Sequence, residues 1–443
     1  MPLKILIIGA GVCGPALATL LTRADPHHSI TIIERSPTLR KSGLQIDLRA
    51  HGVPIVQKMG LMDALRKRVV QEGGLAVMNE NGGEVGTFGK FEGGTGQQSM
   101  VSEFELMRSD IVDVFYRASL GLSTDRPADG TEEELPTSAG NVRYEFGVTV
   151  ESFAQHDAHS VVVKFSDGRM EKYDMLIGAD GQGSRTRRAL LGKEKSDACF
   201  KSLDMFIAYF TVPRNEKDDD MMRIYNVTGK RTVSIRSGDP KAPTQVYMSV
   251  MTSKGGNERG MRTGVHQSGP EQQDLFVKAF EDEHGWRVDE FRDRLMKDEV
   301  PEGNFYAQEI GQVKCDTLAV GRVALLGDAG YTPSPVTGMG TTLSLIGAYI
   351  LAGEISKHGS DVQAGLQSYA KVVQPYVAEG QKLLPGGPRI LHLETRWAIA
   401  LLHSVVWFVS RSGLADLIGW VLVKFMPEGK IGLKLPEYPG LKL

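Results

Sequence analysis

The stretch Met1–Gly14, MPLKILIIGAGVCG, decides the fold. Its apolar run predicts a strand, and Gly9, Gly11 and Gly14 follow at once. Twenty residues past Gly14, the run Ile30-Thr31-Ile32-Ile33 ends in Glu34. Strand, glycine turn, helix, strand and acid, in that order, form the fingerprint of a dinucleotide-binding βαβ unit. Gly9 permits the tight turn, Gly11 lets backbone approach a pyrophosphate, and Gly14 lets the helix Val12–Ala24 pack close to the sheet. The helix N-terminus offers free N–H groups and partial positive charge to phosphates. Glu34 is placed to accept hydrogen bonds from a ribose. The stretch reads as this motif and not as a secretory leader, because Gly9, Gly11, Gly14 and Pro15 interrupt it.

The chain has 443 residues, enough for two domains or one large composite. It is 41% hydrophobic and 24% charged, so a full core needs no staples. A net charge of −3 without a long basic run argues against nucleic acid as a partner. Cys13, Cys199 and Cys315 lie far apart without metal-like spacing, which fits a reduced, cytoplasmic chain and predicts no metal site.

Outward from the fingerprint, the pattern predicts a helix near Pro54–Val69, glycine-rich sheet and loops over 72–100, and a helix from Phe104 to Leu120. Asp125–Pro136 reads as a solvated loop. Alternating runs over 203–251 predict a second, mostly antiparallel sheet, and 271–297 reads as helical. Leu318–Gly327 reads as a buried strand before a glycine turn and the helix Thr341–Lys357. The fold class is therefore α/β: a Rossmann-like domain, an inserted antiparallel-sheet domain and a C-terminal helical segment.

Three further motifs follow the fingerprint: Arg108-Ser109-Asp110-Ile111; Gly178-Ala179-Asp180-Gly181 running on to Arg187; and Gly327-Asp328-Ala329-Gly330-Tyr331, then Pro335 through Gly338 and Gly340. With Glu34-Arg35 they resemble the FAD-dependent aromatic hydroxylases, the single-component flavoprotein monooxygenases of the para-hydroxybenzoate hydroxylase type. Tetracycline-inactivating and fungal secondary-metabolite monooxygenases are similar. The resemblance covers roughly residues 3–385. Its division of the chain assigns 1–72, 101–192 and 311–385 to FAD, 73–100 and 193–310 to substrate, and 386–443 to a helical segment.

The resemblance implies FAD as cofactor, NAD(P)H as co-substrate, and a C4a-hydroperoxyflavin formed with O2. That species hydroxylates, epoxidises or rearranges an electron-rich aromatic, polyketide or terpenoid-type molecule. The difficult chemistry is the cofactor's. Gly9, Gly11, Gly14, Glu34, Arg35, Arg108, Asp180, Asp328, Gly338 and Gly340 are its expected contacts. Asp328 also reads as a helix cap or Asx-turn, Asp180-Gly181 as a turn, and Arg108 as a surface arginine. Departures are Tyr331 where the family often has His, Thr342 where it often has Asn, and Gly347 near a frequent Asp.

Positioners and proton handlers are sought at Arg49, near the flavin edge, and at Tyr225, Arg236 and Tyr247 on the second sheet. Core packing or surface exposure is the alternative for those three. A flavin halogenase or reductase relative is disfavoured, because no Trp-x-Trp-x-Ile-Pro occurs. A non-catalytic flavin- or small-molecule-binding protein is the reading from another class. The apolar stretch 397–426 carries Trp397, Trp407 and Trp420 and is too short on either side of Ser410–Gly413 to span a bilayer. Two readings stay open: interfacial helices in peripheral membrane contact, or a hairpin covering the protein.

Overall fold

The computed structural model describes residues 1–39, 45–89, 104–125, 135–155, 159–240, 242–267, 269–297, 299–300, 304–383, 386–412 and 433–441. The first sheet is centred on Lys4–Ile8. Ser29–Glu34 and Met175–Gly178 flank it in parallel, Val142–Phe146 and Val323–Leu325 extend the parallel run, and Ser138–Ala139 and Ala319–Val320 close the edges antiparallel. Strand alternation sorts its side chains. Ile5, Ile7, Ile30 and Ile32 face a helical layer, while Leu6, Ile33 and Leu176 face the small sheet that carries Val161, Val163 and Phe165. Both faces are covered, so these strands read as nearly continuous apolar runs.

The helix Gly340–His358 is the spine of the helical layer. Every residue from Thr341 to Ile355 is buried. A helix that is apolar all round belongs inside, and here it packs on Cys13–Ala24 and Val362–Gly380.

The second sheet orders its strands Tyr306–Val313, Phe200–Val212, Thr244–Met251, Arg231–Arg236, Met221–Val227, Gly74–Met78 and Glu84–Gly89. All pairs are antiparallel except Met221–Val227 with Gly74–Met78. One face packs on the helices Gly269–Ala279 and Val288–Met296 through Phe276, Phe280 and Phe291. The other turns toward the ribbon formed by Gln45–Asp47 and Glu105–Met107.

Several expected elements change form. Phe104–Leu120 is not helical throughout: Glu105–Met107 pairs with Gln45–Asp47, and the helix starts at Arg108. Pairing with a distant strand outweighs local propensity there. The expected helix near Pro54–Val69 is two short ones, Gly52–Lys58 and Met62–Arg66, parted at Gly60 with φ +63. Leu318–Gly327 folds back on itself at Gly321 with φ +57.

The helix Arg396–Arg411 lies against the edge strand Glu84–Gly89, where Arg411 donates to the Val85 carbonyl at 3.1 Å. Its other side leaves Trp397, Leu401, Val405, Trp407 and Phe408 exposed. Residues 433–438 are extended, and Pro439–Leu441 forms one short 3-10 turn. They run as a strap over the spine helix, with Tyr349 donating to the Pro436 carbonyl at 2.9 Å and Tyr438 to Glu354 at 2.7 Å. The second apolar half of the tail, with Trp420, lies outside the described residues, as do Gly43, Leu44 and most of the loop Asp125–Pro136. Among the described residues, no helix is long and apolar enough to cross a membrane.

Candidate functional site

The glycine turn is closed on one side and open on the other. Gly9 sits at φ +113, and a Cβ there would overlap the Ala179 carbonyl oxygen. At Gly11 a Cβ would meet only Arg108 Nη2, at 3.4 Å. The helix that follows has neither a side-chain cap nor an acid in its first turn. Its orphan N–H groups therefore need an outside acceptor. Glu34 closes the turn by accepting from Ala10 N–H at 3.1 Å and Ser36 N–H at 3.0 Å.

Arg108 begins its helix facing Cys13 and Asp328. Burial raises the Asp328 carboxyl, with Arg108 pulling the other way. Burial also pushes the Cys13 thiol up to about 12, so it is an inert neighbour. Arg35 is exposed beyond the turn. Asp180 accepts from Ser184 at 2.5 Å and from the Thr186 N–H and hydroxyl, both at 3.0 Å, tying down the start of helix Arg185–Leu191.

The spine helix also opens without a cap or a first-turn acid, and the space at Gly340 is clear for 4 Å. Just before it, Gly338 holds φ +63, and a Cβ there would lie 3.0 Å from Asp47 Oδ2. Thr342 binds the Arg49 loop at both backbone atoms, accepting from its N–H at 3.2 Å and donating to its carbonyl at 2.8 Å. Two uncapped helix ends, an open glycine turn and an acid beside each form a cradle that fits a long anionic dinucleotide.

The departures at Tyr331 and Gly347 compensate one another. A Cβ on Gly347 would overlap the Tyr331 hydroxyl, which lies 3.0 Å from that of Tyr369. A large residue fills the room left by a missing side chain.

Register divides the three candidates on the second sheet. Arg236 is paired with Gln245, Ser234 with Tyr247, and Tyr247 with Tyr209. Their side chains share the face toward the ribbon. Tyr225 pairs with Val233, on the opposite face, and donates to Glu283 at 2.9 Å in the helix-covered core beside Trp286. It does not join the other two. Beside Tyr247 stand Tyr209, at 5.5 Å between centroids, and Tyr306, stacked on Tyr209 at 4.7 Å. Burial pushes the Tyr209 phenol up to about 12, and that of Tyr247 higher still, so both remain neutral. Farther along this face, a cavity of about 250 Å³ is lined by Lys230, Met251, Thr252, Arg389 and His392.

Arg236 is not free to meet an anion. It pairs with Glu72 and Glu105, each at 3.4 Å. Burial works against its charge, but Glu72 and Glu105 outweigh that effect. Arg49 pairs with Asp47 at 2.6 Å. A buried charged seam thus lies between the cradle and the tyrosine-lined face. Sequence reasoning overlooked Asp47, Glu72 and Glu105, and also Tyr209 and Tyr306. The alternation of Met205–Val212 was a usable signal for Tyr209. Nothing local marked Glu105, whose strand was taken for helix.

Residues 2–379, well over half the chain, match the family described as FAD binding domain. Over its whole length the chain is 34% identical to the FAD-dependent monooxygenase asL6 of Sarocladium schorii, covering 99% of that protein. The chain belongs to the FAD-dependent monooxygenase family. This monooxygenase is also 34% identical to asL4 of the same organism, with 99% of each chain covered. Among solved structures, tetracycline destructase Tet(55) superposes with a TM-score of 0.72 at 26% identity, covering 99% of both chains. FAD is therefore the cofactor of the monooxygenase, with NAD(P)H as reductant and dioxygen and a small molecule as substrates.

Proposed function

We propose that this monooxygenase inserts one oxygen atom into an electron-rich aromatic or polyketide-type molecule held on the tyrosine-lined face. The observation that carries the reading is the register that puts Tyr209, Tyr247 and Tyr306 on the face of the second sheet turned toward the ribbon of Gln45–Asp47 and Glu105–Met107. In this reading residues 1–72, 101–192 and 311–385 hold FAD, and 73–100 with 193–310 hold the substrate. Glu34 takes the adenosine ribose, Asp328 a hydroxyl of the cofactor chain, Arg108 its phosphate side, and Arg49 the flavin edge.

Bound FAD, once reduced, supplies the activation of dioxygen. The chain supplies a dry, shaped wall. Aromatic rings offer flat contact to a flat substrate, and exclusion of water protects the reactive state. Tyr247 donates to Gln245 at 2.9 Å and Gln245 accepts from Gln45 N–H at 3.1 Å, so its hydroxyl is held in one orientation. A neutral phenol fixed in this way orients a substrate oxygen by hydrogen bonding.

The test is NAD(P)H and dioxygen consumption by the FAD-loaded protein across a panel of electron-rich phenols and polyphenolic polyketides. Tetracycline belongs in the panel as a probe. Stimulated consumption with a product one oxygen atom heavier supports the reading. Stimulation by none, or by electron-poor aliphatic compounds alone, would overturn the substrate class.

A further inference from the structure

Where the ribbon meets the second sheet, two carboxyl groups stand opposite one another. Asp47 and Glu105 are direct cross-strand partners. Like charges in that position repel. Both are buried, with side chains 12% and 1% exposed. Each uses one oxygen on its neighbours. Asp47 Oδ2 meets Arg49 Nη2 at 2.6 Å, while Glu105 Oε2 meets Gln45 Nε2 at 3.1 Å and Arg236 Nη1 at 3.4 Å. The remaining oxygens, Asp47 Oδ1 and Glu105 Oε1, are buried with no donor aimed at them. Leaving both ionised would set two buried like charges opposite one another, each with an oxygen that no donor meets.

One proton between these oxygens turns the repulsion into a hydrogen bond. The ionisable groups facing the pair among the described residues are Arg49, Arg236, Glu72 and, beyond Arg236, the neutral phenol of Tyr247.

We propose that Asp47 is a positioning acid of the oxygenation site: Oδ1 carries a proton donated to Glu105 Oε1, and the hydrogen-bonded pair holds Arg49 at the cofactor loop and Arg236 at the substrate face. This rests on the site reading above. Asp47 is the protonated member because burial and Glu105 push its carboxyl well above the usual range, with Arg49 opposing. Burial raises Glu105 too, but its hydrogen bond from Asp47, Arg236 and Gln45 outweigh that effect and hold it low. Asp47 is well placed to sense the cofactor side, since its Oδ2 lies 3.0 Å from where a Gly338 Cβ would be.

Either single amide variant, Asp47→Asn or Glu105→Gln, removes one carboxyl of the pair and leaves no proton to share. Infrared difference spectra of the FAD-loaded protein are the test. At neutral pH the native protein is expected to show the C=O stretch of a protonated carboxylic acid, lost in both variants. The band is read as native minus variant, so a contribution common to both, from Asp328 or any other carboxyl group, cancels. In the native protein the band is expected to disappear as pH rises, together with an alkaline fall in kcat/KM that Asp47→Asn abolishes.

The folded state binds the extra proton between the ordinary Asp range and the raised one. Native stability is therefore expected to fall as pH rises through that window, and in Asp47→Asn it does not. A band surviving in both variants, or no titrating band in the native protein, would overturn the proposal. The native titration needs no variant to fold. Because the band needs no turnover, a failure to oxygenate any substrate would count against the functional reading alone.

Discussion

At the scale of single residues, the cofactor cradle depends on a few acids with distinct tasks. Glu34 already holds the glycine turn through Ala10 N–H. A further charge-assisted hydrogen bond to a ribose is worth about 1.5–3 kcal/mol. Glu34→Ala is expected to weaken FAD binding about ten- to a hundredfold, at about 1.4 kcal/mol per decade, as read by flavin fluorescence titration. An unchanged dissociation constant would count against the assignment. Asp328→Ala is expected to purify folded but largely colourless; full retention of flavin would remove Asp328 from the cradle. Asp180 is anchored by its own neighbours: Ser184 and Thr186 donate to its oxygens and fix its side chain. Only the folded chain shows which local donors orient a carboxylate.

At the scale of elements, strand register sorts residues that sequence alone treats alike. Tyr225 and Tyr247 stand on strands of one sheet, but on opposite faces. Tyr225→Phe is expected to cost about 1–2 kcal/mol of stability through the lost bond to Glu283, with kcat and KM unchanged. Tyr247→Phe is expected to leave the melting temperature nearly unchanged and to raise KM severalfold. Chemical denaturation and steady-state kinetics on both variants separate these outcomes. Equal kinetic effects would mean that the face assignment is wrong. The sequence revealed that these strands alternate. It did not reveal which phase of the alternation faces the cradle, because a strand shifted by one residue exchanges its faces.

At the scale of the whole molecule, the tail returns to stabilise the helix that opens beside the cradle. Tyr438 lies against Gly353, where a Cβ would overlap its ring, and stands at 5.4 Å from the Tyr349 ring. Tyr438→Ala is expected to cost about 1–3 kcal/mol and to weaken FAD retention, since the spine helix carries Thr342 and its latch on Arg49. A thermal melt with flavin release followed in parallel checks this. Flavin loss well below the melting transition is the expected signature, and unchanged curves would show the strap to be passive.

The sequence by itself determined the βαβ start, the second antiparallel sheet and the glycine turns at Gly9 and Gly338. Each of those rests on neighbours within a few tens of residues: a strand feeding a turn, a glycine where no Cβ fits, an alternation of period two. Tertiary structure alone decided the strand at Glu105–Met107, the strap at 433–441, the division of Tyr225 from Tyr247, and the seam of Asp47, Glu72, Glu105, Arg49 and Arg236. Those depend on which distant segments meet. A buried carboxyl group has its charge set by partners far away along the chain, and no local pattern records them.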